Sequence, residues 1–243
     1  GILVAGMGGM PYLGAIMALA LLFLVSVALN TALYRIRPEP DRLTGFYLAM
    51  AVGGALGGVF AALIAPLVFD WTYEYPILVL AAGLLVPQHA LLRPIRRLWE
   101  GSAHRRHILT GVVALVVLGL VGLILADAGP GLGALPQAAL LVIVVIGLLS
   151  MGARWAFVSV LLGVLVAFGG YRAVMISLEP HARTRSYFGV YTVHNAATQR
   201  QLAHGTTVHG VQLLGSPARE RTPPAYYVAA SGVGRAMQVL PIL

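Results

Sequence analysis

Lysine and cysteine are both missing from the 243 residues, and all sixteen basic side chains are arginine. Without lysine the chain has no Schiff-base amine, no phosphate-loop lysine and no lysine general base. Without cysteine it has no disulfides, no thiolate metal site and no cysteine nucleophile. Charge of either sign is scarce, at 10% of residues, where a soluble domain carries about 25%. The formal net charge is +8 and the pI near 10.3. Much of that excess sits in short loops between apolar runs, where arginine is expected to set topology, so nucleic acid is not an expected partner.

What is abundant is apolar sequence. Hydrophobic residues make up 59% of the chain, and the mean hydropathy is +0.86. Up to Tyr171, six long apolar stretches carry no charged side chain: Gly1 to Tyr34, Leu43 to Phe69, Tyr75 to Leu92, His107 to Ala126, Ala128 to Ala153 and Trp155 to Tyr171. A bilayer core about 30 Å thick needs roughly 20 apolar residues in a helix, so each run is a spanning candidate. The chain begins with glycine inside the first run, without a recognisable signal peptide, and is expected to be processed, trimmed or incomplete. The expected partner of residues 1–171 is the lipid bilayer.

The loops carry an orientation. Arg35, Arg37 and Arg42 lie between the first two runs; Arg93, Arg96, Arg97, Arg105 and Arg106 lie between the third and fourth; Arg154 lies between the last two. The intervening loops, Asp70 to Glu74 and around Asp127, contain no base. This alternation predicts cytoplasmic arginine loops by the positive-inside rule. Six crossings then leave the tail after Tyr171 outside, despite its seven arginines, because long segments translocate largely regardless of charge. The run between Pro76 and Pro87 is the one expected to fall short of a full span.

No Asp, Glu or His lies near the middle of a run, which argues against a proton-coupled transporter and against a membrane haem pair. His89, His104 and His107 fall in an arginine loop and read as solvated. Gly53, Gly54, Gly57 and Gly58 form two overlapping small-xxx-small patterns, a surface for close helix approach. Packing against a helix of the same chain is the expectation there; a dimer face or ligand cleft is the alternative. Trp71, Tyr73 and Tyr75 resemble an interfacial aromatic belt.

From Ser186 the texture changes. Ser186 to Val193 is rich in aromatic and β-branched residues and predicts a strand. His194 to Gln201 reads as a turn, Leu202 to Leu214 as further strand broken by Gly205 and Gly210, and Ala225 to Ala229 as a short apolar segment. The fold class predicted is therefore an all-α polytopic membrane domain of about six helices (1–171), a linker (172–185) and a small β-hairpin extension (186–243). Two or three strands are marginal alone, so another domain or subunit is expected to cover the hairpin edge.

His204 and His209 are the candidate polar pair of that extension. Residues five apart on a straight strand face opposite sides, so a shared ligand requires a bulge. With no acid nearby in sequence, hydrogen bonding at a turn or an interface is the expected role, and no metal site or catalytic residue is assigned.

The tail segments Arg185-Ser-Tyr-Phe-Gly-Val-Tyr-Thr-Val193, Leu202-Ala-His-Gly-Thr-Thr-Val-His-Gly210 and Pro224-Ala-Tyr-Tyr227 resemble membrane-fused, spermidine-synthase-like bacterial proteins. So do Arg37-Pro38-Glu-Pro40, Gly53-Gly-Ala-Leu-Gly-Gly58 and Glu74-Tyr75-Pro76. The resemblance implies an inner-membrane location, a hairpin domain placed before a methyltransferase-type Rossmann domain, and Tyr227 at the position of the family's binding tyrosine. It also implies decarboxylated S-adenosylmethionine as cofactor, but only where a Rossmann domain follows. Gly232-Val-Gly234-Arg-Ala-Met237 lacks the third glycine of a nucleotide-binding turn. His204-Gly205 stands where soluble members carry Asp-Gly, and Tyr227-Val228-Ala229 where they carry Tyr-His-Glu. Only Glu179 and Glu220 could pair with a polyamine after Tyr171. The expected function is thus a membrane anchor or scaffold of a spermidine-synthase-like protein, non-catalytic as this chain. An accessory subunit of a larger membrane complex is the alternative, and a transporter the third.

Overall fold

The structure, a computed structural model, describes residues 11–90, 92–127, 133–224 and 228–240, with the side chains of the first helix described from Ile16. The chain divides into two compact units, residues 1–56 with 74–172, and residues 57–73 with 173–243.

The helices follow the apolar runs. They are α1 (Pro11–Arg35), α2 (Leu43–Val59), α3 (Ala65–Val68), α4 (Glu74–Leu85), α5 (Arg93–Trp99), α6 (Ala103–Ala126), α7 (Ala134–Leu149), α8 (Arg154–Leu165) and α9 (Tyr171–Leu178). A π-helical turn at Phe60–Ile64 joins α2 to α3. Another joins α8 to α9, where Phe168 and Gly169 leave helical geometry and Gly169 takes φ 108°. A left-handed residue interrupts the hydrogen-bond ladder, which makes this a kink with an identifiable cause. Among the described residues, four helical stretches are long and apolar enough to cross a membrane: Ile16–Arg35, Pro40–Val68, Ala103–Ala126 and Arg154–Leu178.

The other two runs give shorter helices. α4 has 12 residues and α7 has 16, hence lengths of about 18 and 24 Å against a core of about 30 Å. So of the six runs, four become helices of spanning length. The shortening of α4 has a local cause: Pro87 disfavours helical geometry at Val86, and the helix stops at Leu85. The Gln88 amide then folds back, Nε2 donating to the Gly83 carbonyl at 2.7 Å. It thereby satisfies one of the acceptors a helix end leaves open.

In the first unit, Val117, Val121 and Ile124 of α6 pack with Ala139 and Ile143 of α7 and Val160 of α8. Lipid tails are as apolar as leucine, so association here depends on close contact rather than on escape from water. Small residues provide it. A methyl group on Gly163 would collide with Val117 Cγ1, one on Gly83 would lie 2.7 Å from Leu161 Cδ1, and one on Gly147 would lie 3.3 Å from Val160 Cγ1. A second cluster joins Ile95 and Trp99 of α5 to Ala156 of α8. The Trp99 indole Nε1 donates to the Leu149 carbonyl at 2.7 Å, capping the end of α7.

The second unit contains a four-stranded antiparallel sheet, ordered β1 (Arg183–Ser186), β2 (Gly189–Asn195), β3 (Gln199–His204) and β4 (Thr207–Leu213). The predicted hairpin is thus larger than expected, and the predicted linker 172–185 is instead α9 and β1. Pairing of Ser186 with Gly189 makes Tyr187 and Phe188 a two-residue turn rather than strand; Phe188 is 85% exposed at its tip. Gly189 takes φ 133°, which suits it to close that turn. His194 and Asn195 end β2, and Gln199 to Gln201 open β3, which narrows the predicted turn to 196–198. Among strand residues only Ala203 is buried. The sheet has almost no core of its own. Two short helices follow, α10 (Pro217–Glu220) and α11 (Gly232–Val239).

Candidate functional site

Strand pairing decides which side chains share a face. Arg183 opposes Thr192, and Thr192 opposes Ala203, so these lie on one side of the sheet. Arg185, two residues along β1, lies on that side too. Tyr191 opposes His204 on the other side.

The first face carries a polar joint to the loop that follows α3. The Arg183 side chain is only 5% exposed, and its guanidinium stands 3.8 Å from the Asp70 carboxylate. Its Nη1 donates to the Ala173 carbonyl at 3.1 Å and to Ser177 Oγ at 3.3 Å. Ser177 Oγ donates to Asp70 Oδ1 at 2.9 Å and lies 2.8 Å from the Tyr73 hydroxyl. The Arg183 guanidinium is also 5.5 Å from the centre of the Trp71 ring. Arg185 Nη1 donates to the Trp71 carbonyl at 2.8 Å. A buried guanidinium is tolerated because carboxylate, hydroxyl, carbonyl and aromatic face replace its water together. The aromatic belt residues Trp71 and Tyr73 are therefore parts of this joint.

The second face carries a ring stack. Tyr191 and His204 lie parallel, with ring centres 4.4 Å apart and planes 11° from parallel, and His209 follows at 5.6 Å from His204. Leu202 opposes Gly210 but Ala203 opposes Val208, which leaves His209 as the extra residue of a β-bulge. His204 opposes Thr207 and His209 lies two residues beyond Thr207, so the β3–β4 hairpin itself puts both imidazoles on one side. His204 Nε2 lies 3.0 Å from the Phe188 carbonyl, so it is the protonated nitrogen and ties β3 to the tip of the β1–β2 turn. Among the described residues no group of three or more His, Cys, Asp or Glu could hold a metal ion. His204 thus stacks on Tyr191 with one imidazole nitrogen already engaged, and His209 is tilted 45° against it.

The remaining candidates are placed as follows. Tyr227 lies outside the described residues, as does most of the predicted apolar segment from Ala225. Gly53, Gly54, Gly57 and Gly58 have no atom within 4 Å of an added methyl group. Within its own unit, neither pair, Gly53 with Gly54 or Gly57 with Gly58, meets another described helix. The glycines that do bring helices together, Gly83, Gly147 and Gly163, are single residues that no pattern singled out. Gly232 and Gly234 open α11, where Ser231 Oγ accepts the Gly234 amide at 3.1 Å. That is an ordinary helix N-cap, and among the described residues no strand leads into it.

Comparison with protein-family models, with characterised proteins and with solved structures gives no match. Sequence reasoning missed Asp70, Ser177, Arg183 and Arg185. The one available signal was Arg183-Thr-Arg185-Ser186, whose alternation puts both arginines on one side of an extended segment.

Proposed function

We propose that this chain is a membrane anchor and scaffold that holds a small sheet against the end of a membrane helix, and that it performs no aminopropyl transfer itself. The observation that carries this reading is the Asp70–Ser177–Arg183 joint: it fixes the first strand to the loop directly after α3. Its hydrogen bonds bind the sheet to a helical stretch of spanning length. Among the described residues, Asp70 is the one carboxylate at a face of the sheet, and Arg183 and Ser177 already occupy it. In the spermidine-synthase-like resemblance, the sheet is the platform on which a Rossmann domain rests. Six crossings in a bacterial inner membrane, with cytoplasmic arginine loops and a periplasmic tail, complete the proposal. α4 and α7 then cross with help from their flanking residues.

Two measurements test it. The purified chain, supplied with decarboxylated S-adenosylmethionine and putrescine, is expected to yield no spermidine; turnover overturns the non-catalytic reading. Alkaline phosphatase fused after Leu243 is expected to be active, whereas activity of a cytoplasmic reporter alone removes the sixth crossing. A second reading, an accessory subunit of a larger complex, is favoured by the bare Gly53–Gly58 face, which suits close approach of another helix. Intact mass from native membranes separates the two. A species far above 25.6 kDa supports the anchor of a longer enzyme, and a species at 25.6 kDa supports the subunit.

A further inference from the structure

The two ends of the sheet differ in chemistry. At one end the β1–β2 turn presents Tyr187 and Phe188, both exposed, and the neighbouring β3–β4 turn is Gly205-Thr206. Neither turn carries a charge. At the other end Arg200 borders the turn 196–198, its Nε donating to Asn195 Oδ1 at 2.9 Å. An exposed aromatic ring by itself is ordinary. The position and the backbone of this turn make the pair informative.

β1 runs beside α3, the last turn of the stretch Pro40–Val68, where Leu67 and Val68 are exposed. Arg185 ties the strand to the Trp71 carbonyl, just past that helix end. Phe188 lies three residues further on, hence within about 10 Å of Arg185 along the chain. The headgroup layer on each side of a hydrocarbon core is about 5–8 Å deep. The tip is within reach of it. The Phe188 amide donates to Ser186 Oγ at 3.2 Å, and its carbonyl accepts from His204 Nε2 at 3.0 Å. Both backbone groups of the tip residue are thus matched inside the protein, which lowers the cost of leaving bulk water. A second protein is the poorer fit. Two rings offer about 300–500 Å², short of the roughly 800 Å² that each partner contributes to a stable interface.

We infer that the β1–β2 turn is a membrane-contact element whose partner is the lipid surface beside α3. The Phe188 ring enters the lipid interface, and the Tyr187 ring lies at headgroup level, where an aromatic ring with a hydroxyl is at home. The sheet then has two holds on the membrane end of the molecule, the Asp70–Ser177–Arg183 joint and this tip. The inference rests on membrane embedding of Pro40–Val68 and not on any enzymatic relationship.

The chain has no cysteine, so a single introduced thiol is a unique attachment point. Phe188→Cys, Ala197→Cys at the opposite end of the sheet and Leu67→Cys on α3 are each labelled with a nitrobenzoxadiazole probe. The full chain is then reconstituted in phosphatidylcholine–phosphatidylglycerol vesicles carrying nitroxide lipids. At position 188 the probe is expected to shift its emission to the blue, to be quenched by nitroxide placed near the headgroup and to lose quenching by aqueous iodide. At position 197 it should stay open to iodide and escape the nitroxide. Nitroxide quenching at position 67 reports embedding of the helix itself. Quenching at 67 with identical behaviour at 188 and 197 overturns the inference alone, whereas no quenching at 67 overturns the membrane reading and this inference with it. Shielding from iodide at 188 without nitroxide quenching shows a protein covering the tip and also overturns it. A probe at Tyr187→Cys separates the ring from the label. Adding Phe188→Asp there is expected to restore iodide access, and unchanged shielding would mean that the label inserts by itself, which again overturns the inference.

Discussion

Arg183 on the first strand and Asp70 on the loop after α3 stand 3.8 Å apart, with Ser177 hydrogen-bonded to both. The sheet supplies one buried residue of its own, so this contact accounts for much of how its first strand is held. Arg183→Ala removes two hydrogen bonds and takes the counter-charge from Asp70, while the Ala173 carbonyl keeps Ser177 Oγ at 3.1 Å. The expected loss is about 1–3 kcal/mol. Limited proteolysis should then cut the strands at protease concentrations that spare the parent chain. Asp70→Asn keeps an acceptor for Ser177 but takes the counter-charge from a buried guanidinium, and should cost about 1–3 kcal/mol. Identical digestion of Arg183→Ala and the parent would remove the joint from the account.

Gly189 and His204 give a sharper test. Gly189 takes φ 133°, and a methyl group there would collide with the His204 ring. Gly189→Ala therefore meets two penalties, an unfavourable backbone region of about 1–3 kcal/mol and a steric clash. In the double variant Gly189→Ala with His204→Ala only the clash is relieved. Thermal melting followed by circular dichroism should show partial recovery in the double variant. Full recovery would mean that the turn adapts without strain, and no recovery would mean that the ring is not the obstacle.

Which parts of this arrangement could be read from sequence follows from the distance over which each is determined. α6 was legible because twenty apolar residues after a basic loop have one stable home. β1 was not: Arg183-Thr-Arg-Ser has neither aromatic nor aliphatic residues, and it becomes a strand through pairing with β2 and the contacts of its arginines with the Asp70 loop. Tyr187 and Phe188 misled for the converse reason, since residues with high strand propensity can occupy a two-residue turn when Gly189 supplies the positive φ. The approach of His204 and His209 follows from their lying on adjacent strands of a tight hairpin, not on one straight strand, so no bulge is needed for it.

Trp99 provides a test of how the first unit ends its helices. Its indole donates to the Leu149 carbonyl at 2.7 Å, while the ring packs with Ile95 and Ala156. Trp99→Phe keeps most of the packing and deletes the donor, leaving the carbonyl unmatched at the end of α7. The expected cost is about 1–2 kcal/mol, measured as a lower melting temperature in detergent. Trp99→Ala should cost more, about 3–5 kcal/mol, because it also opens a cavity. Equal effects of the two would show that packing alone matters.

The two sets of glycines should separate stability from association. A methyl group at Gly163 would strike Val117, whereas one at Gly54 meets nothing within 4 Å. Gly163→Val is therefore expected to force α6 and α8 apart and to lower the melting temperature of the detergent-solubilised chain substantially. Overpacking of this kind costs about 1–3 kcal/mol or more. Gly54→Val should leave that temperature unchanged and can even strengthen its own helix, since glycine is a poor helix former. If the bare glycine face receives another helix in the membrane, the same Gly54→Val change should abolish cross-linking to that partner while the isolated chain stays as stable as before. Destabilisation of the isolated chain by Gly54→Val would instead place a helix of this chain on that face. Unaltered cross-linking beside unaltered stability would remove the accessory-subunit reading, because that reading rests on close approach at Gly53 to Gly58 and a valine side chain prevents it.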